Sequence, residues 1–172
     1  LVTLANGWPA LIGLASVSSA EIEDGVEAVP ESLYRFFADE VFGALGAHVR
    51  QGLTTLAVAP VIDGRLAAAL LGEDGAETVT AAALDVGLLV ERDARLDLHP
   101  LARSFLEEKS GQLGLRPSDD AAEICLAIYR ERREWDAAFD LLSRLRLTGH
   151  LEELMRSAID ELLEGARLST LE

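Results

Sequence analysis

The chain has 172 residues, 30 acidic and 15 basic, for a formal net charge of −15, a balance that opposes binding to nucleic acid or anionic membranes because both need clustered Lys and Arg. Hydrophobic residues at 49% and charged residues at 26% describe a soluble chain able to fill one good core or two small ones. The single cysteine, Cys125, excludes an internal disulfide and a cysteine metal site, and it fits a reducing, cytoplasmic setting.

In chain order, residues 1–18 read as the tail of a preceding helical domain, broken at Asn6-Gly7 and restarted at Trp8-Pro9. Gly7 can take the positive φ that ends a helix, and Pro9 suits a first helical position. This apolar stretch lacks a basic leader, which argues against a signal peptide, and no segment has the length of a membrane span. Residues 19–30 are acidic and weakly patterned, a linker.

From residue 31 the periodicity is helical. Leu33, Phe36, Phe37, Val41 and Ala44 share one face of a first helix, and Val49, Leu53, Leu56 and Ala57 share one face of a second. Asp63-Gly64 turns the chain into a short helix carrying Leu66, Ala69 and Leu70. Asp74, with Glu77 three residues on, reads as the N-cap of the next helix. Val79, Ala82, Ala83 and Val86 give that helix its buried stripe, and Gly87 ends it.

A hairpin follows. Leu88 and Val90 alternate with Leu89 and Glu91, Asp93-Ala94 takes the turn, and Leu96 and Leu98 alternate with Arg95 and Asp97. Pro100 then opens a helix with Leu101, Phe105 and Glu108 at helical spacing. Several short helices, a hairpin and one more helix form the order of a winged helix, here over residues 31–115. His99 stands at the junction of wing and helix.

Beyond Gly114 and Pro117 the pattern is purely helical. Ser118 caps a helix through Tyr129, with Ala121, Cys125 and Ile128 on one face. Trp135, Ala138, Phe139, Leu142 and Leu145 define the next, and Leu151, Leu154, Met155, Ala158, Ile159 and Leu162 the last. Residues 116–172 thus read as the start of a helical arm of antiparallel, TPR-like helices, and the fold class is mainly α.

The chain has no G-x-x-x-x-G-K-[ST] loop, no G-x-G-x-x-G turn and no G-x-S-x-G elbow. His48, His99 and His150 lie on separate elements, and the acid pairs Glu107-Glu108 and Glu152-Glu153 are sequence neighbours that diverge on a helix. No metal site is expected, and the chain is read as no enzyme. The candidate recognition helix, residues 75–86, carries Glu77 and Asp85 and no basic residue. In the wing, Arg92 and Arg95 sit among Glu91, Asp93 and Asp97, which weighs against DNA reading.

Two segments carry a resemblance. Asn-Gly-Trp-Pro-Ala-Leu-Ile-Gly-Leu-Ala (6–15) resembles the G-[LW]-P-x-x-L segment that follows the ATPase core in signal-transducing ATPases with numerous domains (STAND). Leu-Asp-Leu-His-Pro-Leu-Ala-Arg-Ser-Phe-Leu (96–106) is similar to the H-P-L-x-x-x-F-L segment ending the winged helix of their MalT-like, LuxR-type transcription regulators. The spacing between the two, Trp135 with Ala138, and the closing Gly-Ala-Arg-Leu-Ser-Thr-Leu (165–171) also match that order.

The resemblance implies a fragment, with the phosphate loop and the DNA-binding module elsewhere in a parent protein. Cofactors would be none here and ATP or ADP in the parent. Pro9 matches the proline that packs near the adenine. His99 matches the histidine that, in related animal and plant ATPases, reaches the β-phosphate of ADP, although Pro100 follows it where those relatives carry aspartate. An imidazole beside a helix N-terminus can donate to an anion.

From the residues alone, His99 reads first as a side chain bonding a carbonyl at the wing–helix junction, with the resemblance bringing the nucleotide reading level with it, and Trp8-Pro9 reads first as a helix start with a buried indole. Tyr129 and Trp135 read as core aromatics and Cys125 as a packing residue. The function expected is a relay of nucleotide state between ATPase core and helical arm, by intramolecular packing. The rivals are a free-standing winged-helix DNA binder and a helical-repeat interaction scaffold. The partners expected are the parent's own ATPase core and arm, plus a weak homodimer through Leu151, Leu154, Met155, Ala158, Ile159 and Leu162, with neither DNA nor membrane.

Overall fold

The computed structural model describes residues 37–109, 111, 112, 114, 115, 117 and 120–159. The helix tail, the linker, Pro9, Leu33 and Phe36 lie outside them, as do Ser118 and Leu162.

A π-helical stretch, Phe37–Phe42, leads into α1 (Ala47–Leu56), β1 (Ile62–Asp63), α2 (Gly64–Leu71) and α3 (Glu73–Asp85). The wing is β2 (Leu89–Arg92) and β3 (Arg95–Leu98), and α4 (Pro100–Lys109) follows it directly. The helices that follow, termed the arm below, are α5 (Ala121–Arg132) and α6 (Trp135–Leu145), then a 3-10 turn at Thr148–His150 and a helix, α7, over residues 151–159. The protein is mainly helical with a three-stranded antiparallel sheet, in the order of a winged helix followed by helices.

The wing forms where expected, but only β3 alternates; on the other side of the turn Leu88 and Leu89 are both buried and Glu91 and Arg92 both exposed. Leu89 pairs with Leu98 and Arg92 with Arg95. Asp93 and Ala94 both take positive φ, at 50° and 61°, as a two-residue turn matching the strand twist demands. A further strand, β1, adds Ile62 opposite Leu96, so β3 lies in the middle of the sheet. Two residues are too few to show alternation, and β1 is absent from the sequence-based expectation.

Asp63 ends β1 and caps α2, its Oδ1 accepting from the Leu66 N–H at 2.8 Å. The burial of α2 falls on Leu66 and Ala67, whereas Ala69, expected inside, is exposed. Helix α3 departs from expectation at its start: its N-cap is Gly72, and Asp74 lies inside the first turn beside Glu73. Only Gly72 separates α2 from α3, and its φ of 75° is one glycine adopts without strain. The two acids still face the positive end of the helix dipole. Gly87 closes α3 with φ 75°, its N–H donating to the Leu84 carbonyl while Leu88 N–H reaches Ala83.

Leu53, Leu56, Leu66, Val79, Leu88 and Leu89 fill the centre of the winged helix. A Cβ at Gly52 would stand 2.5 Å from Val79 Cγ2, so α1 and α3 approach more closely there than any side chain on α1 permits. In the arm, α5 runs past Tyr129 to Arg132 and starts at Ala121, with Asp120 at its N-cap. Helices α5 and α6 end alike, on Arg133 and Arg146 in the left-handed region. In each case the next N–H reaches back five residues, Glu134 to Tyr129 and Leu147 to Leu142.

Candidate functional site

His99 is the single residue between β3 and α4. Its N–H donates to the Leu88 carbonyl at 2.8 Å, extending the wing ladder, and its carbonyl accepts from the Arg103 N–H at 3.0 Å, opening the helix. The residue is 4% exposed, enclosed at this corner. Its expected partner in nucleotide sensing, Pro9, lies outside the described residues.

Around that corner the structure assembles groups that the sequence reading left apart. After α1 the chain runs through Ala57-Val58-Ala59-Pro60-Val61 to β1, and Pro60 disfavours a helical conformation at Ala59. The carbonyls of Ala57, Ala59 and Val61 all receive side chains from later helices. Arg103 Nη1, on α4, donates to Ala57 and to Ala59, each at 2.9 Å. Arg144 Nη2, on α6, donates to Ala57 at 3.2 Å and pairs with Glu107. The Tyr129 hydroxyl, on α5, donates to the Val61 carbonyl at 2.5 Å and accepts from the Val61 N–H at 3.2 Å. Two residues on, the Asp63 carboxylate pairs with Arg132, which makes a second hydrogen bond to it at 3.3 Å.

The electrostatics follow from place. The carbonyls at the end of α1 carry the negative pole of its dipole, and guanidinium groups there are favourably set. Burial pulls the Arg103 pKa below the ordinary arginine range, and the neighbouring Arg144 lowers it further. Burial acts to raise the Asp63 carboxyl; the hydrogen bonds from Arg132 and Leu66 outweigh it and hold the group below 3.8. Burial also raises the Tyr129 phenol and pushes the Cys125 thiol up to about 12, leaving that thiol protonated and inert at neutral pH.

Outer ion pairs flank this contact, Arg65 to Glu131 at 3.1 Å and Arg95 to Glu134 at 3.4 Å. A cleft of about 380 Å³ opens beside it, walled by Thr54 and Val58 at the end of α1, Leu106 and Glu107 on α4, and Arg144 and Leu145 on α6. Among the described residues no cluster of His, Cys, Asp or Glu could hold a metal ion. The exposed face of α3 presents Glu73, Asp74, Glu77 and Asp85 and no cation.

The predicted stripe on the last helix divides. Leu154 and Ala158 are buried at 1% and 0%, so they belong to the core and form no surface. Leu151, Met155 and Ile159, spaced by four, form an outer ridge at 43%, 43% and 46% exposure. Arg130 holds α7 to α5 through Glu153 at 2.9 Å and the Ser157 hydroxyl at 3.2 Å. Among the described residues no helix is long and apolar enough to cross a membrane.

Arg103, Tyr129, Arg132 and Arg144 were missed as a group by sequence reasoning. The available signal was an arginine on an otherwise apolar helix face, Arg103 between Ala102 and Phe105.

Residues 38–116 match the family model of the MalT winged helix domain, so this region is a MalT-like winged helix. Neither a curated protein nor a solved structure matches the chain.

Proposed function

We propose that this chain is the winged-helix and first arm segment of an ATP-dependent, LuxR-type regulator of the STAND class. In this reading it relays nucleotide state between an ATPase core and a helical sensor arm by packing, and it catalyses nothing itself. The MalT-like winged helix supports a regulator-related role. The observation that carries the relay is the acidic exposed face of α3 on a winged helix that is bonded to an arm. A helix that enters the major groove uses Arg, Lys, Asn or Gln on that face.

The 172-residue chain is therefore expected not to bind duplex DNA, as read by fluorescence anisotropy at low salt. Micromolar binding that weakens steeply with added salt would overturn this and favour the free-standing DNA binder.

ATP and ADP would be held by the parent's core, with Pro9 and His99 on the sensing side. For His99→Ala in the parent we expect ADP retention to fall about tenfold or more, the loss of one charge-assisted hydrogen bond at roughly 1.5–3 kcal/mol. Nucleotide co-purification reads the effect. A melting curve separates it from general loosening, because His99 is buried. Unchanged ADP affinity would leave His99 with the structural role its backbone bonds already give it.

The ridge of Leu151, Met155 and Ile159 favours one added partner, a second copy of the chain. Each of the three is already more than half buried, so covering the remainder contributes roughly half of the 1.5–3 kcal/mol of a full burial, and the association expected is weak. Light scattering over a dilution series should show a concentration-dependent dimer that Met155→Glu or Ile159→Glu shifts to monomer. A strict monomer at every concentration would exclude it.

A further inference from the structure

We infer that residues 57–63 are a docking strip that locks the first two arm helices to the winged helix, so that the two move as one body. The strip lies where α1 unwinds: Ala57 keeps helical dihedrals, Val58 and Ala59 N–H groups bond back to Thr55 and Leu56, and the chain becomes a strand only at Ile62. The carbonyls of Ala57, Ala59 and Val61, left without helical partners, accept from α4 and the arm instead. Asp63 adds its side chain to the same contact.

Three helices answer. Arg103 of α4 and Arg144 of α6 share the Ala57 carbonyl, and Tyr129 of α5 takes both polar groups of Val61. These contacts are part-buried, whereas Arg65 and Glu131, outside them, are each more than half exposed. Exposed pairs of that kind hold little, so the strip carries the attachment. Asp63 also ties the arm to α2, since one carboxylate both caps that helix and receives Arg132.

The purpose assigned to the lock rests on the relay reading: a signal reaching the winged helix passes to α5 and α6 without slack, and any hinge lies elsewhere. The lock itself is independent of nucleotide, and its test uses none. A relay that ignored ADP would leave the lock standing, and a lock that failed would leave ADP sensing untouched.

Hydrogen exchange on the whole chain decides it. In the wild type, amides of α5 and α6 should open together with those of α1 and α3. In the double variant Tyr129→Phe, Arg144→Met, exchange in α5 and α6 should accelerate at least tenfold while α1 and α3 keep their protection. The Cys125 thiol, enclosed in α5, should gain maleimide reactivity by a similar factor. Should the double variant fail to fold, Asp63→Asn weakens the Arg132 pair while retaining a capping oxygen, and acceleration confined to the arm is again expected. Arm amides that open independently of the winged helix in the wild type, or that ignore the folded variants, would overturn the proposal.

Discussion

Truncating Phe105 to alanine should lower the unfolding free energy by about 3–5 kcal/mol, the range for deleting a buried aromatic ring. Phe105 is enclosed on the inner face of α4 beside Ala102 and Leu106, and its ring meets Phe42 edge-on, with centroids 5.3 Å apart and planes at 61°. Phe42 belongs to the π-helical stretch ahead of α1, so one ring pair ties the start of the described chain to the helix behind the wing. Whole domains hold only about 5–15 kcal/mol, and the loss is therefore a large share of the total. Urea denaturation measures it. A cycle with Phe42→Leu should isolate about 0.5–1.5 kcal/mol for the ring–ring contact itself. A loss below about 1.5 kcal/mol for Phe105→Ala would mean that the site collapses around the missing ring and that the packing described is loose.

Arg103→Leu should cost about 2–4 kcal/mol although it exchanges a buried charge for an apolar, shorter side chain. Leucine keeps part of the aliphatic packing, and the change also removes an unfavourable neighbour of Arg144. Against those gains stand two carbonyls. Ala57 retains its hydrogen bond from Arg144, but Ala59 loses the donor that reaches it from α4. Both residues are buried, so water cannot replace the guanidinium without opening the strip. Arg103→Lys should recover part of the loss, since an ammonium group has donors for both acceptors but lacks the flat fork that places them. Denaturant midpoints for the three proteins at one pH and salt concentration give the comparison. Wild-type stability in Arg103→Leu would show that the strip is solvated in solution.

What the chain disclosed in advance was what depends on near neighbours. The wing was legible because the residues of β3 alternate and Asp93-Ala94 takes the turn, although the other side buries Leu88 and Leu89 together and does not alternate. The start of α4 was legible because Pro100 can stand only at a helix entrance. Asp74 misled because a capping box is a local pattern, while the actual boundary was set by the positive φ available to Gly72 two residues earlier. The last helix showed its apolar face correctly but not its width: Leu154 and Ala158 point inward, and Leu151, Met155 and Ile159 fall on the flank. The joint around Ala57 to Asp63 was hidden for a different reason. Its partners lie 44 to 87 residues away along the chain, and an arginine read in isolation is only a charge.

The strip is recognised through its peptide groups, and this sets an asymmetry in how the joint can be inherited. Any residue supplies a carbonyl, so positions 57, 59 and 61 answer only to the space around their side chains and can drift among small and branched apolar types. The opposite side has no such freedom: a guanidinium at 103 and 144 and a phenol at 129 are chemical requirements. Descendants of this sequence should therefore record the joint in their later helices, and an ancestor could have acquired it by substitutions in α4 and the arm, on a strip whose main chain already offered the acceptors.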